Sequence, residues 1–201
     1  NRPRAAILGD PSENPLFNRA AQGLYELGST FKIFTAATSL EKGLVNPQTI
    51  IDTTPFRWNR KTYKDYKNYG PTNSVEDIIM KSSNVGTIRM ALAAGTSAQK
   101  KTLKDLGFFE AVPVELGEAS RTKPQIPKNW SDTSTITISF GHGISATPLH
   151  LATAYSIVAN GGFRVKPTIK KIDFGNLSRE QVISPKTSQQ LISMLRRVVS
   201  E

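Results

Sequence analysis

The sequence predicts an α+β domain dominated by helices. Three observations lead there. The stretch from Gly28 to Leu40 is apolar nearly all round and stops at Gly43, as a helix inside a domain with a left-handed C-terminal cap would. Further helices are announced by capping residues and closed by glycines. Between them lie only short β-leaning segments and loops rich in Pro and Asn.

In chain order, residues 1–28 are punctuated by Pro3, Pro11, Asn14, Pro15 and Asn18, with Ala5-Ala6-Ile7-Leu8 as one candidate strand. After the apolar helix, Thr49-Ile50-Ile51-Asp52-Thr53 is β-leaning. Asn73-Ser74-Val75-Glu76 has capping-box spacing, with Asn73 as N-cap, and a short helix follows through Met80. Ser82-Ser83-Asn84 breaks it, and a second helix runs from Val85 to Ala94 and stops at Gly95. Ser97 caps the next, to Leu106, before Gly107. Residues 108–130 read as a loop, and Thr135-Ile136-Thr137-Ile138-Ser139 alternates as a short strand does. Thr147-Pro148 is an N-cap with Pro at the first helical position. Phe163 to Lys166 and Ile169 to Ile172 read as a β arm, and Ser184-Pro185 opens a last helix.

The net charge of +10 raises the question of nucleic acid. The cations are spread over the chain without one dense arm. Phe56 to Tyr69 interleaves aromatics with Arg57, Arg60, Lys61, Lys64 and Lys67, but a half-exposed segment with a solvated basic face explains that better than a nucleic-acid platform. No nucleic-acid partner is expected; a basic surface suits an anionic envelope or peptide carboxylates equally well. No apolar run has membrane-spanning length, and the absence of cysteine excludes disulfides and thiolate metal sites. His142 and His150 do not present a two-ligand helical face, and no Gly-rich phosphate loop occurs, so no metal and no cofactor are expected.

The chemistry centres on the apolar helix. Lys32 stands in its first turn, three residues after Ser29, so both side chains leave one face. Desolvation lowers a buried lysine's proton affinity until it can act as a base near neutral pH, and a hydroxyl beside it becomes a nucleophile. The bare pattern Ser-x-x-Lys is weak, since Ser39/Lys42, Ser97/Lys100 and Ser120/Lys123 also fit. Lys42 complements a helix C-terminus, Lys100 belongs to a solvated face, and Lys123 falls in a Pro-rich loop. Ser29/Lys32 alone combines a helix start with apolar surroundings. Ser82-x-Asn84 offers a hydroxyl and a carboxamide at a helix junction. Those are the types needed to relay a proton to a leaving amine and to hold a peptide, although capping alone accounts for them and Ser12-x-Asn14 also fits.

Gly28-Ser29-Thr30-Phe31-Lys32, Ser82-Ser83-Asn84-Val85-Gly86, and Ser139-Phe140-Gly141-His142-Gly143 with Thr147-Pro148-Leu149 and Ala159-Asn160-Gly161-Gly162 follow in an order that resembles the transpeptidase domain of penicillin-binding proteins. The likeness covers essentially the whole chain and is greatest to the monofunctional, class B, cell-division type of the serine penicillin-recognising family. Leu27 departs from the proline many members carry there. The third family motif, Lys-Thr/Ser-Gly, does not occur: Lys61-Thr62-Tyr63, Lys101-Thr102-Leu103 and Lys186-Thr187-Ser188 lack its glycine. The resemblance therefore implies that residues 1–201 are a partial transpeptidase domain. They would hold mostly its helical part, with much of the central antiparallel sheet and the third motif beyond residue 201.

By the same resemblance, Ser29 is the nucleophile that attacks the penultimate D-alanine of a peptidoglycan stem peptide, and Lys32 is its general base. Ser82 is the proton relay, Asn84 a substrate contact, and the Ser29 N–H one oxyanion donor. β-Lactams would acylate Ser29. Membrane-anchored divisome proteins are implied as partners, at the periplasmic face of the bacterial inner membrane with a single-pass anchor outside this stretch. A serine β-lactamase, a D,D-carboxypeptidase or a catalytically inert penicillin-binding-like fragment are the alternatives. The first lacks a recognisable motif around Glu110, Glu115 or Glu118, and the apolar residue usual in oxacillinases is replaced by Asn84.

Overall fold

The computed structural model describes residues 16–172 and 179–200. The strand expected at Ala5–Leu8 and the Ser12-x-Asn14 pattern lie outside the described residues. The described residues form eight helices, α1 (Arg19–Gln22), α2 (Lys32–Glu41), α3 (Val75–Met80), α4 (Asn84–Ala94), α5 (Thr96–Asp105), α6 (Asp132–Ser139), α7 (Pro148–Ala159) and α8 (Pro185–Ser200). The strands form four two-stranded antiparallel ribbons. β1 (Tyr25–Glu26) pairs with β6 (Ser145–Ala146) and β2 (Ile50–Asp52) with β5 (Thr72–Ser74). β3 (Phe56–Trp58) pairs with β4 (Lys61–Tyr63) and β7 (Phe163–Val165) with β8 (Arg179–Gln181).

Helix α2 is the axis of the core. Every residue from Lys32 to Leu40 is buried, so no polar face remains and the helix must be enclosed. It packs against α3, α4, α5, α6 and α8. Phe31, Phe34 and Phe108 form an aromatic cluster with ring centroids 4.8–5.3 Å apart in edge and tilted arrangements. Gly43, at φ +65°, closes α2: its N–H bonds the Leu40 carbonyl and the Leu44 N–H that of Ser39. That is the Schellman arrangement expected of a glycine stop.

Several sequence expectations change. Gly28–Phe31 is a 3₁₀ turn, so the α-helix proper begins at Lys32. Thr135–Ser139 is not a strand but the body of α6, nucleated by a Ser131/Ser134 capping box. Its Thr135, Ile136, Ile138 and Ser139 are all buried. The buried face takes Thr135 and Ser139 beside Ile136 and Ile138, so hydrophobicity does not mark the helical period, and β-branched alternation mimics a strand. Ser74 rather than Asn73 caps α3, accepting from the Asp77 N–H. Asn73 is buried in β5 and bonds Thr53 and the Tyr69 carbonyl. Helix α5 begins at Thr96 after Gly95, with no cap from Ser97. The β arm is made by β7 with β8; no strand forms at Ile169–Ile172. The caps at Thr147-Pro148 and Ser184-Pro185 stand as expected.

Candidate active site

Lys32 is 3 % exposed, and its Nζ reaches out of the core to one residue. It donates to the Ser82 carbonyl at 2.5 Å and to Ser82 Oγ at 2.8 Å. Burial pulls the amine's pKa down from the usual lysine value to about 8, while the negative charge of Asp65 holds it up in part. Part of the population is then unprotonated near neutral pH, enough for a base that works by capturing a proton on demand.

Ser82 can offer both oxygens because its backbone is left-handed, φ +57°. It occupies the position after the C-cap of α3: the Ser82 N–H bonds the Ile79 carbonyl and the Ser83 N–H that of Ile78. Helices α2, α5 and α6 end in the same hydrogen-bonding pattern, with Gly43, Gly107 and Gly141 at that position. A serine there costs about 1–2 kcal/mol that a glycine does not. The strain places the carbonyl and hydroxyl side by side over Lys32, an arrangement glycine would supply only in part.

The turn is fixed from its other side. Ser83, 1 % exposed, is the N-cap of α4 and accepts from the Gly86 N–H. Its own hydroxyl donates to Asp65 Oδ2 at 2.6 Å, and the Val85 N–H donates to Asp65 Oδ1 at 3.0 Å. Asn84 is the first residue of α4 and half-buried.

Ser29 lies on the 3₁₀ turn that leads into α2, and it is exposed. Its carbonyl accepts the Lys32 N–H. No hydrogen bond joins Ser29 Oγ to Lys32; the amine turns to Ser82 instead. In unliganded sites such bonds are often open and tighten with substrate. The turn is held by neighbours on both flanks. Gly28 N–H donates to the Gly141 carbonyl, the Tyr155 hydroxyl to the Thr30 carbonyl, and the Thr30 hydroxyl to the Leu27 carbonyl. Gly141 must be glycine: at φ +86°, a Cβ would stand 1.9 Å from the Gly28 carbonyl oxygen. Glu26 then accepts from the Gly143 N–H and pairs with His142, so the Gly141-His142-Gly143 bend grips the segment just before Ser29.

Thus Lys32 and Ser82 are in direct contact, Asn84 follows at the next helix start, and Ser29 stands on the turn that opens Lys32's own helix. The other Ser-x-x-Lys pairs are built differently. Lys42 donates to the Ala94 carbonyl, Lys100 is exposed on α5, and Lys123 pairs with Glu110. His150 is enclosed between Thr147 Oγ1 and the Glu110 carbonyl. Asp65 was missed in the sequence, where it reads as one acid within a basic run.

Comparison with known proteins identifies the family of the chain. The family model described as the penicillin binding protein transpeptidase domain matches residues 2–201. The chain is 32 % identical over 190 residues to the probable peptidoglycan D,D-transpeptidase FtsI of Caulobacter vibrioides, covering 94 % of this chain and 32 % of that protein. It is 34 % identical over 179 residues to peptidoglycan D,D-transpeptidase FtsI of Escherichia coli K12, covering 84 % and 30 %. It thus spans about a third of the length of these relatives. The transpeptidase domain of penicillin-binding protein 3 from Burkholderia pseudomallei, solved without ligand, superposes with a TM-score of 0.86 at 28 % identity, over 92 % of this chain and 57 % of that one. A buried lysine on a strained serine beside an exposed serine turn, on a fold shared this widely, leaves one assignment: the chain belongs to the penicillin-binding protein transpeptidase family, on the class B branch that its named relatives occupy.

Proposed function

We propose that the protein carrying this chain is a peptidoglycan D,D-transpeptidase of septal wall synthesis. Its Ser29 would form an acyl-enzyme with a D-alanyl-D-alanine stem peptide and pass it to a neighbouring amine. The observation that carries the reading is the enclosed Lys32 amine, bonded to both oxygens of Ser82 at the start of the helix that Ser29 introduces.

Ser29 Oγ attacks the carbonyl carbon of the penultimate D-alanine while its proton passes to Lys32. The tetrahedral oxyanion takes the Ser29 N–H as one donor. Lys32 hands the proton through Ser82 Oγ to the departing D-alanine nitrogen, and the C–N bond breaks to leave an ester on Ser29. The acceptor amine then attacks that ester, its proton returns to Ser29 Oγ by the same route, and the cross-link forms. Asn84 holds the peptide through its carboxamide. The Lys-Thr/Ser-Gly element of the family does not occur in these residues, so turnover is proposed of the whole protein, of which residues 1–201 supply the nucleophile side of the site. β-Lactams stall at the ester. Interaction with membrane-anchored divisome proteins on the periplasmic face of the inner membrane belongs to the same proposal. No helix of the described residues is long and apolar enough to cross a membrane.

Labelling of the complete protein with a fluorescent penicillin tests the reading. Stable labelling that disappears in Ser29→Ala supports it. Rapid release of the label points to a lactamase instead, and labelling that persists in Ser29→Ala refutes the assignment of the nucleophile.

A further inference from the structure

The loop between β4 and β5 is basic and exposed at Lys64, Tyr66 and Lys67, yet Asp65 between them is half-buried and turns inward. Its carboxylate is fully engaged by the residues that follow Ser82. Oδ2 takes the Ser83 hydroxyl proton at 2.6 Å and Oδ1 takes the Val85 N–H at 3.0 Å. Because Ser83 Oγ also accepts the Gly86 N–H, its one proton is committed to Asp65, and the bond has a defined direction. An anion at this place satisfies a free N–H of α4 and complements the positive end of that helix.

We propose that Asp65 is a positioning residue for the acylation chemistry: it locks the Ser82-Ser83-Asn84 turn so that both oxygens of Ser82 stay aimed at Lys32. This rests on the transpeptidase reading given above. Ser82 is held in a left-handed backbone that a serine leaves readily unless both sides are pinned. The α3 Schellman bonds pin one side, and Asp65 through Ser83 and Val85 pins the other. A second consequence follows from charge. Asp65 favours the protonated amine of Lys32, opposing the effect of burial. The other charged groups on elements packed against α2 have work elsewhere or face solvent. On α3 and α8, Glu76 and Asp77 pair with Arg197, Lys81 bonds Asn73, and Lys186 and Arg196 are outward or half-exposed. On α4, Arg89 pairs with Asp52; on α5, Lys101 pairs with Asp105 while Lys100 and Lys104 are exposed; on α6, Asp132 is exposed.

The test measures the acylation rate of the complete protein by a fluorescent penicillin as a function of pH, in the parent, Asp65→Asn, Ser83→Ala and Ser29→Ala. Asp65→Asn keeps the shape and removes the charge. It is expected to slow acylation about 10- to 100-fold, the effect of losing charge-assisted hydrogen bonds. Its ascending limb should also move to lower pH, since an amine without its anion gives up its proton more readily. A merely structural role moves no limb. Ser83→Ala keeps the anion and its Val85 N–H bond while removing the hydroxyl bond to the turn together with the α4 cap, so it should slow acylation with the limb in place; a parental rate in it overturns the proposal even if Asp65→Asn fails to fold. Parental rates in either variant, or an unmoved limb in a folded Asp65→Asn, overturn the proposal. An unlabelled parent, or a labelled Ser29→Ala, overturns the transpeptidase reading instead, and the two failures are distinct.

Discussion

Replacing Lys32 by methionine should make the protein more stable at neutral pH and inactive. The lysine's usual pKa of 10.5 falls to about 8 in the fold, chiefly from burial. At about 1.4 kcal/mol per decade, that is about 3 kcal/mol against the charged form. The bonds to Ser82 O and Oγ return part of it, about 1–2 kcal/mol given that Ser82 itself is exposed. Methionine has similar length, no charge to desolvate, and suits an apolar slot. The net gain is then about 1–2 kcal/mol at pH 7, or roughly 2–8 °C in the unfolding midpoint of a domain this size.

The pH dependence carries the sign. Below pH 8 both folded and unfolded chains hold the proton, so the parent bears the full penalty. Between 8 and 10.5 the folded amine is neutral while the unfolded one is still charged, so parental stability rises with pH. Above 10.5 the penalty is gone, and the advantage of Lys32→Met with it. Thermal midpoints of the two proteins from pH 7 to 11, with acylation measured alongside, check this. Loss of acylation by at least about a hundredfold is expected. A variant less stable than the parent at pH 7, or a difference that stays flat with pH, refutes the desolvated-lysine reasoning.

Two further outcomes concern the frame. Gly141→Ala should cost about 2–4 kcal/mol and displace the Ser29 turn, because its Cβ would sit 1.9 Å from the Gly28 carbonyl oxygen in a backbone that disfavours side chains. Denaturant unfolding shows the first effect and slowed acylation the second. Gly86→Ala should cost about 1–3 kcal/mol, since its Cβ would meet Ile78 Cδ1 at 2.5 Å between α3 and α4, and a second change of Ile78→Val should recover part of the loss in the same assay.

What could be read in the sequence was what is settled locally. The α2 stop at Gly43, the Thr147-Pro148 start of α7 and the Ser184-Pro185 start of α8 follow from backbone chemistry within a few residues. The contact of Lys32 with Ser82 was implied only through resemblance, because 50 residues of chain separate the two. Local patterns failed where tertiary contacts outbid them. Asn73 has the spacing of an N-cap but its side chain is taken by Thr53 and Tyr69, leaving the role to Ser74. The alternating Thr135–Ser139 lost its helical signature because the buried face of α6 holds Thr135 and Ser139 as well as Ile136 and Ile138. Asp65 had no signal at all beyond being an acid amid Lys61, Lys64 and Lys67, since its partners begin 18 residues later.

The central claim is that a core-buried amine takes the Ser29 proton. The pH dependence of Ser29 acylation by a β-lactam, followed on the complete protein by intact mass, tests it most directly. The rate should rise tenfold per pH unit and level off near pH 8, with the adduct on Ser29. A limb near 10.5, the value of a solvated lysine, or a rate indifferent to Lys32→Met, would contradict it.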